Sequence, residues 1–309
     1  MRKNLILTAL AGSVLMFIVI VIGSVVIVAQ TAVTGTWTAD TRTGKEDKED
    51  TGKIHLSFER RTENGHNQNG QSYSYDDIKG LTRDRAENGK VSFRLVREAG
   101  TVECEGSFVN GKGSGTFTFT PDAGYVGAMK ARGFDFERSA SKHDDGIEGK
   151  LLSAALLNVT TALADDLNSA NFGKLEVDDL FKAAIFKVDS KFMADMKATG
   201  FPNLTMEDLV KARIFKIDPE YVRQVHDMGF DKQEFEGLVK FRIFKVTPEY
   251  LSELKAEGLN NLSSEDVVKC RIFKIEPDFI RKAKAEDPNV TVEELVRMKI
   301  GVRRVKDTN

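Results

Sequence analysis

The sequence predicts an α+β protein in three parts: an N-terminal transmembrane helix, a small antiparallel β-sheet or barrel, and a C-terminal array of α-helical hairpins, a short α-solenoid. Three observations carry this. The tetrapeptide Ile-Phe-Lys-Ile/Val stands at Ile185, Ile214, Ile243 and Ile272, each 29 residues after the last, and a fixed period of that length means stacked supersecondary units. Residues 33–120 alternate apolar and polar side chains with the period of two that marks half-buried strands. Residues 5–29 are apolar in bulk and carry no charge, enough for the about 20 residues that span a bilayer as a helix.

Met1-Arg2-Lys3 precedes that run. A cleavable signal has a shorter apolar core, roughly 7–15 residues, so an uncleaved anchor is the reading preferred, with removal near Ile27-Val28-Ala29 left open. Arg2 and Lys3 hold the N-terminus in the cytoplasm. The expected location is therefore a bacterial inner membrane, single-pass, with the bulk of the chain periplasmic, or a secreted periplasmic protein if residues 1–30 are removed.

In the β domain, Ile54, Leu56 and Phe58 alternate with polar residues, as do Val91, Phe93 and Leu95, then Val102, Cys104, Gly106 and Phe108, then Phe117 and Phe119. Asn110-Gly111 lies between the last two sets, and Asn-Gly is a strong hairpin signal. Gly35-Thr36-Trp37 opens the first strand, with the only tryptophan. About six strands are expected, curled or closed into a small barrel. The stretch from Thr62 to Asp77, rich in Asn, Gln, Gly and Ser, is expected as an irregular loop at the barrel mouth. Residues 121–174 read as a helical connector. It holds half a repeat, Tyr125 to Phe134, which matches Tyr250 to Leu259 but stands detached from the array. A polar linker follows at 137–150, then an apolar helix from Leu151 to Leu167 that would cap the first unit.

Residues 175–303 contain four to five repeats of about 29 residues, and 304–309 form a tail. In the unit at Asp218, Asp218 is a good N-cap and Pro219 suits the first helical position. Ile217 and Val222 form a hydrophobic staple, repeated by Val246 with Leu251, Ile275 with Ile280 and Val188 with Met193. Gly200, Gly229 and Gly258 end the first helices in the left-handed conformation, whereas the last unit has Asp287 there. The second helices open with Thr205-x-x-Asp208, Asp231-x-x-Glu234, Ser263-x-x-Asp266 and Thr291-x-x-Glu294, capping boxes or close variants. Met206, Leu209, Val210 and Ile214 form the apolar face, and Phe186, Phe215, Phe244 and Phe273 an aromatic ladder. One hairpin cannot bury both faces, so stacking is required.

With 45 basic and 47 acidic residues, net charge −2, the chain has no electrostatic pull towards nucleic acid. Two cysteines, Cys104 and Cys270, cannot build a zinc site, and read as buried small hydrophobes. No pair among the four histidines has metal-ligand spacing. Gly111 to Gly115 lacks the Gly-Lys-Ser/Thr ending of a phosphate loop and reads as a hairpin turn. No catalytic, cofactor or metal residues are assigned. The candidate partner-binding ladder is Arg213, Lys216, Arg242, Lys245, Arg271 and Lys274, set against a solvated face in which Glu207, Glu236, Glu265 and Glu293 pair with basic residues four positions on. The candidate β-domain pocket is Trp37, Phe58 and Phe93.

Gly35-x-Trp37 resembles the start of lipocalin- and avidin-like barrels. Thr247-Pro-Glu-Tyr-Leu and Ser263-Ser-Glu-Asp-Val-Val-Lys-x-Arg-Ile resemble the repeats in tails of bacterial membrane antirepressors of the BlaR1 type and of exported bacterial proteins, over roughly Leu175 to Val302. The resemblance implies an extracytoplasmic sensing or interaction module. The zinc peptidase motif of those antirepressors is absent, so proteolysis is not carried over. The expected function is a non-enzymatic envelope protein whose array binds another protein of acidic character, with the bilayer contacted through residues 5–29. The alternative is an extracytoplasmic ligand-binding or sensor module using the β domain.

Overall fold

The structure, a computed structural model, describes residues 32–41, 52–62, 65–138, 146–231 and 233–302. The apolar run at 5–29 and the tail lie outside them. No helix among the described residues is long and apolar enough to cross a membrane.

The described residues are α+β: a curled antiparallel sheet, then twelve helices. The strands are β1 (Val33–Asp40), β2 (Lys53–Thr62), β3 (Gly65–Ser74), β4 (Ile78–Lys79), β5 (Gly89–Arg97), β6 (Gly100–Val109) and β7 (Lys112–Pro121). Their order across the sheet is β3-β2-β1-β7-β6-β5-β4. The sheet is therefore an open half-barrel rather than a closed barrel. Asn110 and Gly111, both at positive φ (51° and 76°), make the two-residue turn between β6 and β7. Trp37 faces Phe58 on one side and Gly115 on the other, and Cys104 lies between Phe93 and Phe117. Trp37 needs that glycine: a Cβ at Gly115 would come within 2.7 Å of the indole nitrogen. The indole N–H donates to the Glu105 carbonyl at 3.2 Å.

The expected loop Thr62–Asp77 is instead strand β3 followed by a single 3₁₀ turn, Tyr75–Asp77. β3 pairs with β2 in unbroken register from Lys53↔Ser74 to Thr62↔Gly65. An edge strand needs one partner and a tolerant face, not a high apolar content, and only Tyr73 of its described side chains is buried.

The helices are α1 (Tyr125–Lys130), α2 (Gly146–Leu156), α3 (Thr161–Ser169), α4 (Val177–Phe186), α5 (Ser190–Lys197), α6 (Met206–Phe215), α7 (Pro219–Asp227), α8 (Phe235–Ile243), α9 (Pro248–Ala256), α10 (Ser264–Ile272), α11 (Pro277–Glu286) and α12 (Val292–Lys299). The expected continuous helix Leu151–Leu167 is two helices. Asn158 at φ 54° ends α2 and Thr160 caps α3 by accepting from the Leu163 N–H. Nor does the first part cap the array. α2 fills the concave face of the sheet, packing on β1, β5, β6 and β7, while α3 packs on α1, α4 and α5. The expected polar linker is in part this helix, since Gly146–Lys150 is its first turn.

The detached half-repeat is the first helix of the array. Val159, Val188, Ile217, Val246 and Ile275 are 29 residues apart, and each donates its N–H to a carbonyl five residues back, Ala154, Ala183, Ala212, Phe241 and Cys270. That bond closes a Schellman turn around Asn158, Lys187, Lys216, Lys245 and Lys274, all at φ between 51° and 55°. Gly133, Asn171, Gly200, Gly229 and Gly258 end the first helices, again at positive φ. Tyr125 precedes its counterpart Leu163 by 38 residues rather than 29, and the extra length, around residues 139–145, hides the kinship. The Tyr125 hydroxyl donates to the Val159 carbonyl at 3.0 Å just as Tyr250 donates to Ile275 at 3.0 Å. Six helix pairs result, the first sharing its second helix with the sheet.

Caps follow the expectation with one exception. Thr205 with Asp208, Ser263 with Asp266 and Thr291 with Glu294 form capping boxes. The cap of α8 is Glu234, not Asp231, and it makes no side-chain cap bond. α11 ends at Asp287 in extended backbone, φ −139°. Pro288 then blocks helix continuation.

Candidate interaction face of the repeat array

The array's basic residues sort into three sets. In the first, the guanidinium groups of Arg213, Arg242 and Arg271 lie over the rings of Phe192, Tyr221 and Tyr250, at 3.7, 3.5 and 4.2 Å from the ring centres. They also donate to the carbonyls of Lys187, Lys216 and Lys245 at 2.7, 2.8 and 2.8 Å. Each arginine thus rests on the first helix of its own unit and holds the last carbonyl of the unit before. From the second unit on the two positions change together; in the first, Tyr125 is aromatic but the arginine position is the buried Ala155. Where the aromatic is Leu163 the arginine position is Ala184, and in the last unit Lys299 sits over Phe279 at 4.6 Å. Half of the expected ladder is therefore an internal joint and not a free positive stripe.

The second set is Lys182, Lys211 and Lys269. Expected to pair four residues back with Asp178, Glu207 and Glu265 of their own helices, they reach the next unit: Lys182 to Glu207 at 2.5 Å, with Asp179 of its own helix at 3.8 Å, Lys211 to Glu236, and Lys269 to Glu293 at 3.5 Å. Hydrogen bonding to those carboxylates raises the Lys182 and Lys211 pKa values. Lys240, facing Glu265 in the same register, makes no such pair among the described residues. The third set, Lys216, Lys245 and Lys274 with Lys187, occupies the left-handed turn positions and is exposed. Lys216, Lys245 and Lys274 are the half of the expected ladder that faces solvent.

Ile214 and its equivalents were expected on the buried face. They are exposed: Ile185 52%, Ile214 52%, Ile243 49%, Ile272 46% and Ile300 54%. Five large aliphatic side chains recurring at one position form a stripe beside the exposed lysines. Leu156 holds the same position in α2 and is 1% exposed, because the sheet covers it. The Gln71 amide and the Tyr73 hydroxyl, the latter at 3.2 Å, donate to the Leu156 carbonyl. Around that contact Gly149, Leu152 and Ser153 face Phe58, Asn69 and Phe117. Period alone could not have shown which units are covered. The expected aromatic ladder of Phe186, Phe215, Phe244 and Phe273 is half-buried, and no ring contact among the described residues joins its members.

A groove of about 560 Å³ runs between α8 and α10, lined by Glu236, Lys240, Phe244, Glu265, Val268 and Ile272 among others. It lies where the Lys–Glu rung between neighbouring units is missing.

Trp37, Phe58 and Phe93 do not come together around one pocket; Phe93 alone borders an open cleft of about 410 Å³ with Lys79, Arg94, Glu103 and Glu105. All three are buried, the Trp37 and Phe93 rings meet edge-on at 5.0 Å, and Phe58 packs against Phe117 at 5.5 Å. The space left between Phe58 and α2 is about 20 Å³, on the order of one water molecule. Cys104 and Cys270 are free and buried, and burial pushes the Cys270 thiol up to about 11. No group of three or more metal-ligating side chains occurs among the described residues.

No protein-family model matches the chain, and no curated protein matches it either.

Proposed function

We propose that this is a non-enzymatic, membrane-anchored protein of the bacterial envelope whose helical array, a short α-solenoid, binds another protein through the face carried by its second helices. The supporting observation is the stripe Ile185, Ile214, Ile243, Ile272 and Ile300, exposed at a position that is covered in the one unit that meets the sheet. Isolated exposed aliphatics are ordinary, but a contiguous apolar line marks a contact surface. The exposed Lys216, Lys245 and Lys274 beside it favour acidic groups at the partner's rim. The anchor is the apolar run 5–29, and the resemblance of the repeats to antirepressor tails agrees with an extracytoplasmic setting. The alternative, ligand binding by the β domain, rests on an open, largely polar cleft of about 410 Å³ lined by Lys79, Phe93, Arg94, Glu103 and Glu105 rather than on the expected aromatic interior.

The test compares the full chain with Ile214→Asp/Ile243→Asp/Ile272→Asp in affinity capture from envelope extract, each with its melting temperature measured. The expected result is loss of one stoichiometric protein partner with melting unchanged. Identical capture profiles would refute the reading.

A further inference from the structure

We infer that the isoleucine stripe docks an extended segment of a partner protein whose alternating side chains offer amide and phenolic donors. This is the chemistry that β3 already presents to the same position of α2. The inference deepens the binding role proposed above and rests on it.

The argument starts at the helix ends. The last turn of a helix leaves its carbonyls without intrahelical partners. In α2 the orphan carbonyl of Leu156 accepts from the Gln71 amide and the Tyr73 hydroxyl. Those two residues are i and i+2 on one strand, so they point to one face roughly 6–7 Å apart. The matching carbonyls of Ile185, Ile214, Ile243 and Ile272 have no hydrogen-bond partner among the described residues. Each stands beside a half-exposed isoleucine where Leu156 lies beneath the sheet. The array therefore displays, at four positions, the unfilled form of a contact that the molecule makes once within itself.

The flanking positions fit the same division. Where the sheet sits close, the helix carries Gly149 and Ser153. Where the face is open, the equivalents are Glu207, Glu236 and Glu265, and Lys182, Lys211, Lys240 and Lys269. A partner strand meeting those charges must be polar at its edges and apolar only opposite the isoleucines. β3 itself has that character: Asn67, Gln68, Asn69, Gly70, Gln71, Ser72, Tyr73 and Ser74 carry no charge. The α8–α10 groove, lined by Lys240 and Glu265, which make no ion pair among the described residues, and by Val268 and Ile272, offers a seat for such a strand.

The experiment uses the full chain in detergent micelles with methyl-labelled isoleucine, titrated with the synthetic peptide of residues 65–74. Methyl resonances of Ile185, Ile214, Ile243 and Ile272 should move, while those of buried Ile54 and Ile275 stay. Peptides carrying Gln71→Glu or Tyr73→Phe should each bind about fivefold more weakly, the effect of one lost hydrogen bond. Ile243→Ser/Ile272→Ser in the protein should weaken binding of the same peptide, fluorescently labelled and read by anisotropy, by at least about fivefold. Three results would overturn the inference: no movement, movement confined to Ile54 and Ile78 (pairing at the sheet edge), or movement with vesicles of anionic phospholipid but not with the peptide. If stripe-dependent partner capture survives any of these, the binding role stands and only the strand chemistry falls.

Discussion

The guanidinium of Arg242 touches two repeats at once, the Tyr221 ring of its own unit and the Lys216 carbonyl of the unit before. A partly exposed cation–π contact contributes about 0.5–1 kcal/mol and a charge-assisted hydrogen bond a similar amount net of solvent. Arg242→Ala should therefore lower unfolding free energy by about 1–2 kcal/mol in urea titrations. Tyr250 and Tyr221 give a sharper contrast. The Tyr250 hydroxyl donates to the Ile275 carbonyl, whereas the buried Tyr221 hydroxyl has no partner among the described residues. Tyr250→Phe should cost about 1 kcal/mol and Tyr221→Phe should be neutral or stabilising, because it removes an unsatisfied polar atom.

The buried titratable residues set the alkaline limit. Burial raises the pKa of Tyr73 to about 12 and of Cys270 to about 11, and raises those of Cys104, Tyr125 and Tyr250 as well. In each case the folded state holds its proton to higher pH than the unfolded chain does. Stability is therefore intact below the ordinary thiol value of 9.0 and is lost as pH rises from there through the folded values. The expected slope is at least about 1 kcal/mol per pH unit above pH ~9, read by chemical denaturation at a series of alkaline pH values.

At the scale of elements, the capping chemistry tests the repeat directly. Ser263 and Glu234 share almost the same backbone, φ −70° ψ 161° against φ −71° ψ 158°, yet only Ser263 accepts from its helix's first turn. Glu234→Ser should supply the missing bond and raise stability by about 0.5–1 kcal/mol, with slower amide exchange in the first turn of α8. The same comparison shows what was legible. The capping boxes at Thr205, Ser263 and Thr291 and the left-handed Gly200, Gly229 and Gly258 are legible in the sequence, whereas the left-handed turns at Lys187, Lys216, Lys245 and Lys274 are not, because lysine carries no signal for that conformation. Asp231 has the chemistry of an N-cap but not the position. The true position, Glu234, keeps the 29-residue phase with Ser263 but lacks the cap residue type. β3 was missed because strand recognition rests on apolar alternation. An edge strand over a filled half-barrel can be built from Asn, Gln and Ser.

At the scale of the whole molecule, α2 belongs to two assemblies. It is the second helix of the first repeat and the plug of the half-barrel, so sheet and array share one continuous core. Solenoids melt by nearest-neighbour rules, unit by unit, but the first unit here is tied to non-local strand pairing. Leu156→Ala should cost about 2–5 kcal/mol, and near-ultraviolet dichroism of Trp37 should be lost together with the helical signal of the first repeats. Loss of the Trp37 signal alone would show that the sheet is independent.

The sequence by itself determined that helical units recur every 29 residues, most of their caps, and which apolar strands alternate, because caps, turns and periodicity act through neighbours along the chain. Only the tertiary structure decided that Arg213, Arg242 and Arg271 are joints, that α2 occupies the sheet, and that Leu156 is covered while Ile185, Ile214, Ile243 and Ile272 are open. Those outcomes depend on groups brought from 21 to 85 residues away, and a repeating motif reads the same whether or not something distant has been folded against it.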